Sequence, residues 1–152
     1  MAYDKILEGV INMSKIAVVY WSGTGNTEAM ANAVLKGAKD AGADAALFTT
    51  DSFGAEQIDS FDAVALGCPA MGAEELEDSE FLPMYESIKG KLSGKKVVLF
   101  GSYGWGDGEW MRTWDEEVKS LGADVAADFV IANEAPDDDA LAACEKLGAA
   151  LV

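Results

Sequence analysis

The sequence predicts an α/β fold, a doubly wound five-stranded parallel sheet with helices on both faces. Three observations lead there. Apolar, β-branched runs recur without the apolar–polar alternation of a half-exposed strand, as strands buried on both faces require. Segments with apolar residues at helical spacing separate these runs. Strand and helix alternate through the whole chain, which calls for parallel pairing through right-handed crossovers.

The first strand is KIAVVYW, residues 15–21, and SGTGNT follows it directly. Met30, Val34, Ala38 and Ala41 then mark a helix, with Gly42 as its stop. DAALFTT, residues 44–50, is a weaker second strand, and GAEQIDSF after it makes at most a brief helix. DAVALGC, residues 62–68, is the third strand, followed by a helix on Phe81, Tyr85, Ile88 and Leu92. KKVVLFG, residues 95–101, is the fourth. Trp110, Trp114, Val118 and Leu121 mark the helix after it, with both tryptophans read as mainly core. ADVAADFVIAN, residues 123–133, is the fifth strand. Pro136 and a run of aspartates open the last helix, where negative charge suits the positive helix end. Leu141, Cys144, Leu147 and Leu151 form its apolar stripe. Residues 1–13 fall outside the pattern. They are read as a non-native or disordered extension, so the domain spans 14–152.

Composition narrows the function. A chain of 152 residues suits one domain with one core. No apolar run approaches the ~18–20 residues that cross a bilayer. The first residues lack a basic region and a long apolar stretch, so a cytoplasmic protein is expected. A formal net charge of -16 repels nucleic acid and anionic membranes; it either speeds encounter with a basic protein face or only keeps the protein in solution, and composition alone favours the second. The two cysteines, Cys68 and Cys144, are far apart and form no CxxC, which excludes a disulfide scaffold and a Cys-rich metal site. Histidine is absent, which removes His triads and His metal ligands. Side chains so poorly equipped for chemistry point to a cofactor.

Ligands of open parallel sheets bind beyond the carboxyl ends of the strands. The loops after strands one, three and four read SGTGNT, PAMGAEELEDSE and SYGWGDGE. In the first, Gly23 and Gly25 begin a dinucleotide fingerprint, but Glu28 stands at the third glycine position. A Walker loop would need a lysine that the segment lacks. What remains is a loop of hydroxyls and backbone N–H groups at a helix N-terminus, suited to a terminal monophosphate or to an ordinary capped turn. In the third loop Trp105 sits between glycines and suits stacking on a flat aromatic ligand, or folding over an apolar edge. In the second, Met71 precedes Gly72, which is free to adopt positive φ. The acidic run after it is read as a solvated face, with one carboxylate touching the ligand.

The segments YWSGTGNTEAM, GCPAMGAEELEDSEF and GKKVVLFGSYGWGDGEWM are similar, in order and spacing, to those of short-chain bacterial flavodoxins. The resemblance runs from about Lys15 onward. It implies the flavodoxin-like strand order 2-1-3-4-5 and a non-covalently bound FMN. Ser22, Gly23, Thr24, Gly25, Asn26 and Thr27 would hold the phosphate. Trp105 would stack on the outer ring face and Met71 would lie against the inner one. Glu74 would accept from flavin N3–H, and the peptide at Met71-Gly72 would turn its carbonyl to N5 when that atom is protonated. Pro69 and Ala70, with Ser102, Tyr103, Gly104, Gly106 and Asp107, complete the implied set. Where some relatives have a hydroxyl, Pro69 offers neither hydroxyl nor N–H, which removes one phosphate contact.

The resemblance further implies a monomeric, low-potential one-electron carrier rather than an enzyme. Its partners would be basic-faced redox enzymes, oxidoreductases and flavodoxin- or ferredoxin-type reductases. With no Lys or Arg expected beside the ring, an anionic reduced flavin is disfavoured in so acidic a protein. An FMN-dependent NAD(P)H quinone or nitro reductase is the alternative, but Trp105 over the flavin leaves a second substrate little room. A flavin-free interaction module is the third reading.

Overall fold

Strands β1 (Lys15–Tyr20) and β3 (Ala63–Gly67) are buried along nearly their whole length, as their unbroken apolar sequences require. The structure, a computed structural model, describes residues 14–152, and the extension expected at residues 1–13 lies outside them. β1 leads into α1 (Asn26–Asp40), then β2 (Asp44–Thr49) and the short α2 (Ala55–Ile58). After β3 come α3 (Phe81–Ile88), β4 (Lys96–Tyr103) and α4 (Glu109–Ser120). Two short strands, β5 (Asp124–Val125) and β6 (Val130–Asn133), precede α5 (Asp138–Ala150). The last helix begins as expected, with the Asp137 side chain accepting from the Ala140 N–H at 2.8 Å.

All strand pairs are parallel, in the order β2-β1-β3-β4-β5, with β6 also on β4. The order therefore matches the one implied by the resemblance. The fifth position differs in detail, because one expected strand over residues 123–133 is two. β5 pairs with the start of β4 and β6 with its end. Between them Ala126, Ala127 and Asp128 are poor strand formers, and Phe129 packs on the core.

Alternate residues of each strand supply opposite cores. Ala17, Val19, Val64 and Leu66 face α3 and α4, whereas Ile16, Val18, Ala63 and Ala65 face α1 and α5. Trp110 and Trp114 are each 3% exposed and belong to the first core, as expected. On the other side, α1 and α5 touch backbone to backbone. A Cβ on Gly37 would strike the Glu145 carbonyl, and one on Gly148 the Val34 carbonyl. The order of strands reverses between β1 and β3, and the carboxyl ends there open the crevice that such folds use.

Candidate functional site

A cleft of about 300 Å³ lies at these carboxyl ends. Gly23, Thr24 and Asn26 line it from the loop after β1. Pro69, Ala70 and Met71 line it from the loop after β3, and Ser102, Tyr103, Gly104 and Trp105 from the end of β4. All three expected loops therefore meet in one crevice. Ser22, Gly25, Thr27, Gly72, Glu74, Gly106 and Asp107 belong to the same three loops but do not line the cleft.

The first loop is built from within. Gly25 caps α1 in the left-handed region, φ 95°, and its N–H donates to Ser22 Oγ at 3.0 Å. The first helical bond runs from Ala29 N–H to the Gly25 carbonyl. The N–H groups of Asn26, Thr27 and Glu28 thus have no helical acceptor, and the helix dipole adds positive potential there. Thr27 is 1% exposed. Its hydroxyl lies 3.1 Å from Ser102 Oγ and accepts from the Ser102 N–H, tying α1 to β4. Glu28, the residue that spoiled the dinucleotide fingerprint, is drawn aside by the Tyr20 hydroxyl at 2.8 Å.

The other two loops hold each other. Met71 and Glu75 exchange both backbone hydrogen bonds at 2.8 Å, closing a tight hairpin. Gly72 and Glu74 within it take φ 55°. Trp105 Nε1 donates to the Gly72 carbonyl at 3.2 Å, and the Asp107 N–H donates to Glu74 Oε1 at 2.9 Å. A Cβ on Gly106 would overlap the Glu74 carboxylate, so only glycine admits that carboxylate. Met71 and Trp105 are 37% and 60% exposed, large apolar surfaces flanking the crevice.

Supports from outside the cleft complete the loops. Arg112 donates to the Asp107 carbonyl at 2.9 Å and pairs with its carboxylate at 3.0 Å. This places a cation behind the loop of Trp105, where the sequence led us to expect none. Glu77, in the acidic run, is 6% exposed. Burial pushes its carboxyl up, yet donors at Phe81 N, Glu80 N, Ser79 Oγ and Ser79 N outweigh this and hold it below its ordinary range. It anchors the N-terminus of α3. Cys68 is a buried thiol; burial pushes it up to about 12, which keeps it protonated and inert.

Two lining residues escaped the sequence reading. Glu134 follows β6, with φ 60°, and Trp21 ends the first apolar run and donates to Glu80 at 2.6 Å. The signal for Glu134 was present: its loop also leaves the carboxyl end of a strand.

FMN can be tested against these residues directly. Its parts need an anion site, a flat apolar slot and an acceptor for N3–H. The free N–H groups of α1, the exposed Met71 and Trp105 surfaces, and the glycine-cradled Glu74 carboxylate are those three parts. Among the described residues no helix is long and apolar enough to cross a membrane. The profile of the Flavodoxin family matches residues 18–148. The chain is 48% identical to a flavodoxin of Megasphaera elsdenii over 135 residues, 89% of this chain and 96% of that one. It is 47% identical to a flavodoxin of Clostridium beijerinckii, over 80% of this chain and 88% of the relative. The solution structure of two-electron reduced Megasphaera elsdenii flavodoxin superposes with a TM-score of 0.82, covering 90% of this chain and 97% of that one. Fold, loop geometry and sequence thus agree, and the chain belongs to the flavodoxin family, FMN-binding proteins that carry electrons and are not enzymes.

Proposed function

We propose that residues 22–27, 69–72, Glu74 and 102–107 hold FMN in the cleft and that the chain is a low-potential carrier between basic-faced redox enzymes of the cytoplasm. The observation that supports this most is the slot between exposed Met71 and Trp105, beside the free N–H groups of α1. Bound FMN supplies one-electron chemistry. Thr24, Asn26 and the α1 N–H groups hold its phosphate. Glu74 keeps Oε1 on the Asp107 N–H, leaving Oε2 for flavin N3–H. The Met71 carbonyl accepts from the Glu75 N–H and the Gly72 carbonyl from Trp105 Nε1, bonds that either carbonyl would have to release in order to face the cofactor. A Cβ at Gly72 would meet nothing within 4 Å.

Dithionite titration of the purified yellow protein, followed by its visible spectrum, tests the reading. Two separate one-electron stages are expected. A colourless protein that takes up no added FMN would remove it. Rapid NADPH oxidation with a quinone by the protein alone would favour a reductase instead.

A further inference from the structure

The loop after β1 has two glycines, and backbone conformation explains only one of them. Gly25 stands in the left-handed region at φ 95°, and Gly23 is outside it. Gly23 answers instead to a side chain, because a Cβ there would lie 3.1 Å from Cη2 of Trp21. The indole therefore rests directly on the loop that carries Thr24 and Asn26. The main chain of Trp21 is fixed, its N–H donating to the Gly67 carbonyl at 3.0 Å. Its ring is less enclosed. The residue lines the flavin cleft and also a polar hollow of about 400 Å³, which Ser22, Glu28, Asp51 and Glu80 line with it. The indole has a single polar tether: Nε1 donates to Glu80 Oε2 at 2.6 Å, between residues 59 apart in the chain. Glu80 is held in turn, since its N–H donates to Glu77 Oε1 at 2.7 Å and Glu77 is the buried anchor of α3. A line of contacts thus runs from the Glu77 carboxylate through Glu80 and Trp21 to Gly23.

We propose that Glu80 is a positioning residue for FMN: by holding Trp21 against Gly23, it keeps the loop of residues 22–27 in the shape that receives the phosphate. The proposal rests on the placement of the phosphate at that loop. Glu80 does not line the flavin cleft, so it acts through the indole. A short hydrogen bond to an ionised acceptor is of the stronger kind, and a preformed loop spares the ligand the cost of ordering it. Glu80 does this against its own charge. It shares the polar hollow with Ser22, and a carboxylate beside the loop repels a phosphate dianion. A Glu80 that acted by charge alone would weaken FMN binding, whereas a Glu80 that positions the loop strengthens it. The two roles give opposite signs for the same substitution.

Titration of the full chain, stripped of flavin, with FMN and with riboflavin tests this, because riboflavin lacks the phosphate. Flavin fluorescence reads both dissociation constants. Glu80→Ala removes the acceptor and the charge together; it should weaken FMN about fivefold and leave riboflavin unaffected. Glu80→Gln keeps an acceptor oxygen without the charge, and should bind FMN at least as tightly as the unaltered protein. Trp21→Phe deletes the N–H. It should weaken FMN, and adding Glu80→Ala to it should cost nothing further. Retained riboflavin binding shows that the Glu80→Ala protein is folded. FMN held by Glu80→Ala as tightly as by the unaltered protein, or more tightly, would overturn the proposal. So would equal losses for FMN and riboflavin, an equal loss in Glu80→Gln, or additive losses in the double variant. Failure of the phosphate placement looks different. The unaltered chain would then bind riboflavin as tightly as FMN, or Thr24→Ala would leave its preference for FMN intact.

Discussion

The two halves of the flavin cleft are built in opposite ways. The phosphate half is an extension of secondary structure, whose pivotal hydroxyl, Thr27, is 1% exposed and tied to β4. The ring half is two loops that lean on each other through two cross-loop hydrogen bonds, with Met71 and Trp105 open to solvent. The first half stands ready for an anion. The second half keeps its donors and acceptors satisfied across the two loops, so that the proposed cofactor binding would exchange bonds rather than create orphans. Anchoring calls for a rigid element, and tuning calls for one that can re-pair.

That contrast can be broken at its most exposed point. Trp105→Ala removes the outer ring surface and should weaken FMN binding by about 1–3 kcal/mol, roughly 5- to 150-fold, taking aromatic stacking on a nucleobase as the guide. Fluorescence titration of the apoprotein measures it, and Trp105→Phe should recover part of the loss. Next in size is Glu77→Gln, whose single amide oxygen serves only one of the two donor pairs while its NH2 faces the other, and which should cost about 2 kcal/mol of stability at neutral pH. The sign with pH follows from its lowered pKa. The contribution is complete above the unfolded carboxylate value of ~4.3 and is lost as pH falls through the lower folded value. The variant should therefore show a shallower acid limb in urea unfolding.

Smaller effects sharpen the comparison. Thr27→Val keeps the shape but strands the Ser102 hydroxyl and N–H, at about 1–2 kcal/mol of stability. Amide exchange should quicken along α1 and β4 while the Met71–Glu75 pair is unaffected. Gly72→Ala should disfavour the φ 55° conformation by about 1 kcal/mol, with no steric clash to add. Its readout is the spacing of the two one-electron potentials; equal spacing in both proteins would mean that the peptide does not turn.

Much of this was legible in the chain because periodicity reports burial. The unbroken apolar runs at 15–21, 62–68 and 95–101 became strands β1, β3 and β4, and Trp110 and Trp114 went to the core. The division of the fifth strand was hidden because Ala126 and Ala127 are apolar, and apolarity was taken for strand propensity. Glu77 was hidden in a different way. It looks like its acidic neighbours, and only the start of α3 four residues on separates a buried anchor from a solvated charge. Arg112 was out of view although its partner is only five residues back, because the turn at Gly108, with φ 95°, is what brings the loop of Trp105 against α4. Local pattern reveals which elements exist, whereas the hydrogen bonds between loops depend on where those elements meet.

The backbone contact between α1 and α5 has a consequence in time. Gly37 and Gly148 let the two helices touch without intervening side chains, so α1 has its closest neighbour only once α5 is in place. On a growing polypeptide α5 is made after every other element of the sheet and its cover. The helix whose first turn is proposed to receive the phosphate therefore lacks this backbone contact until translation has passed Gly148. A chain stalled before that point would carry the first turn of α1 without the helix that grips it.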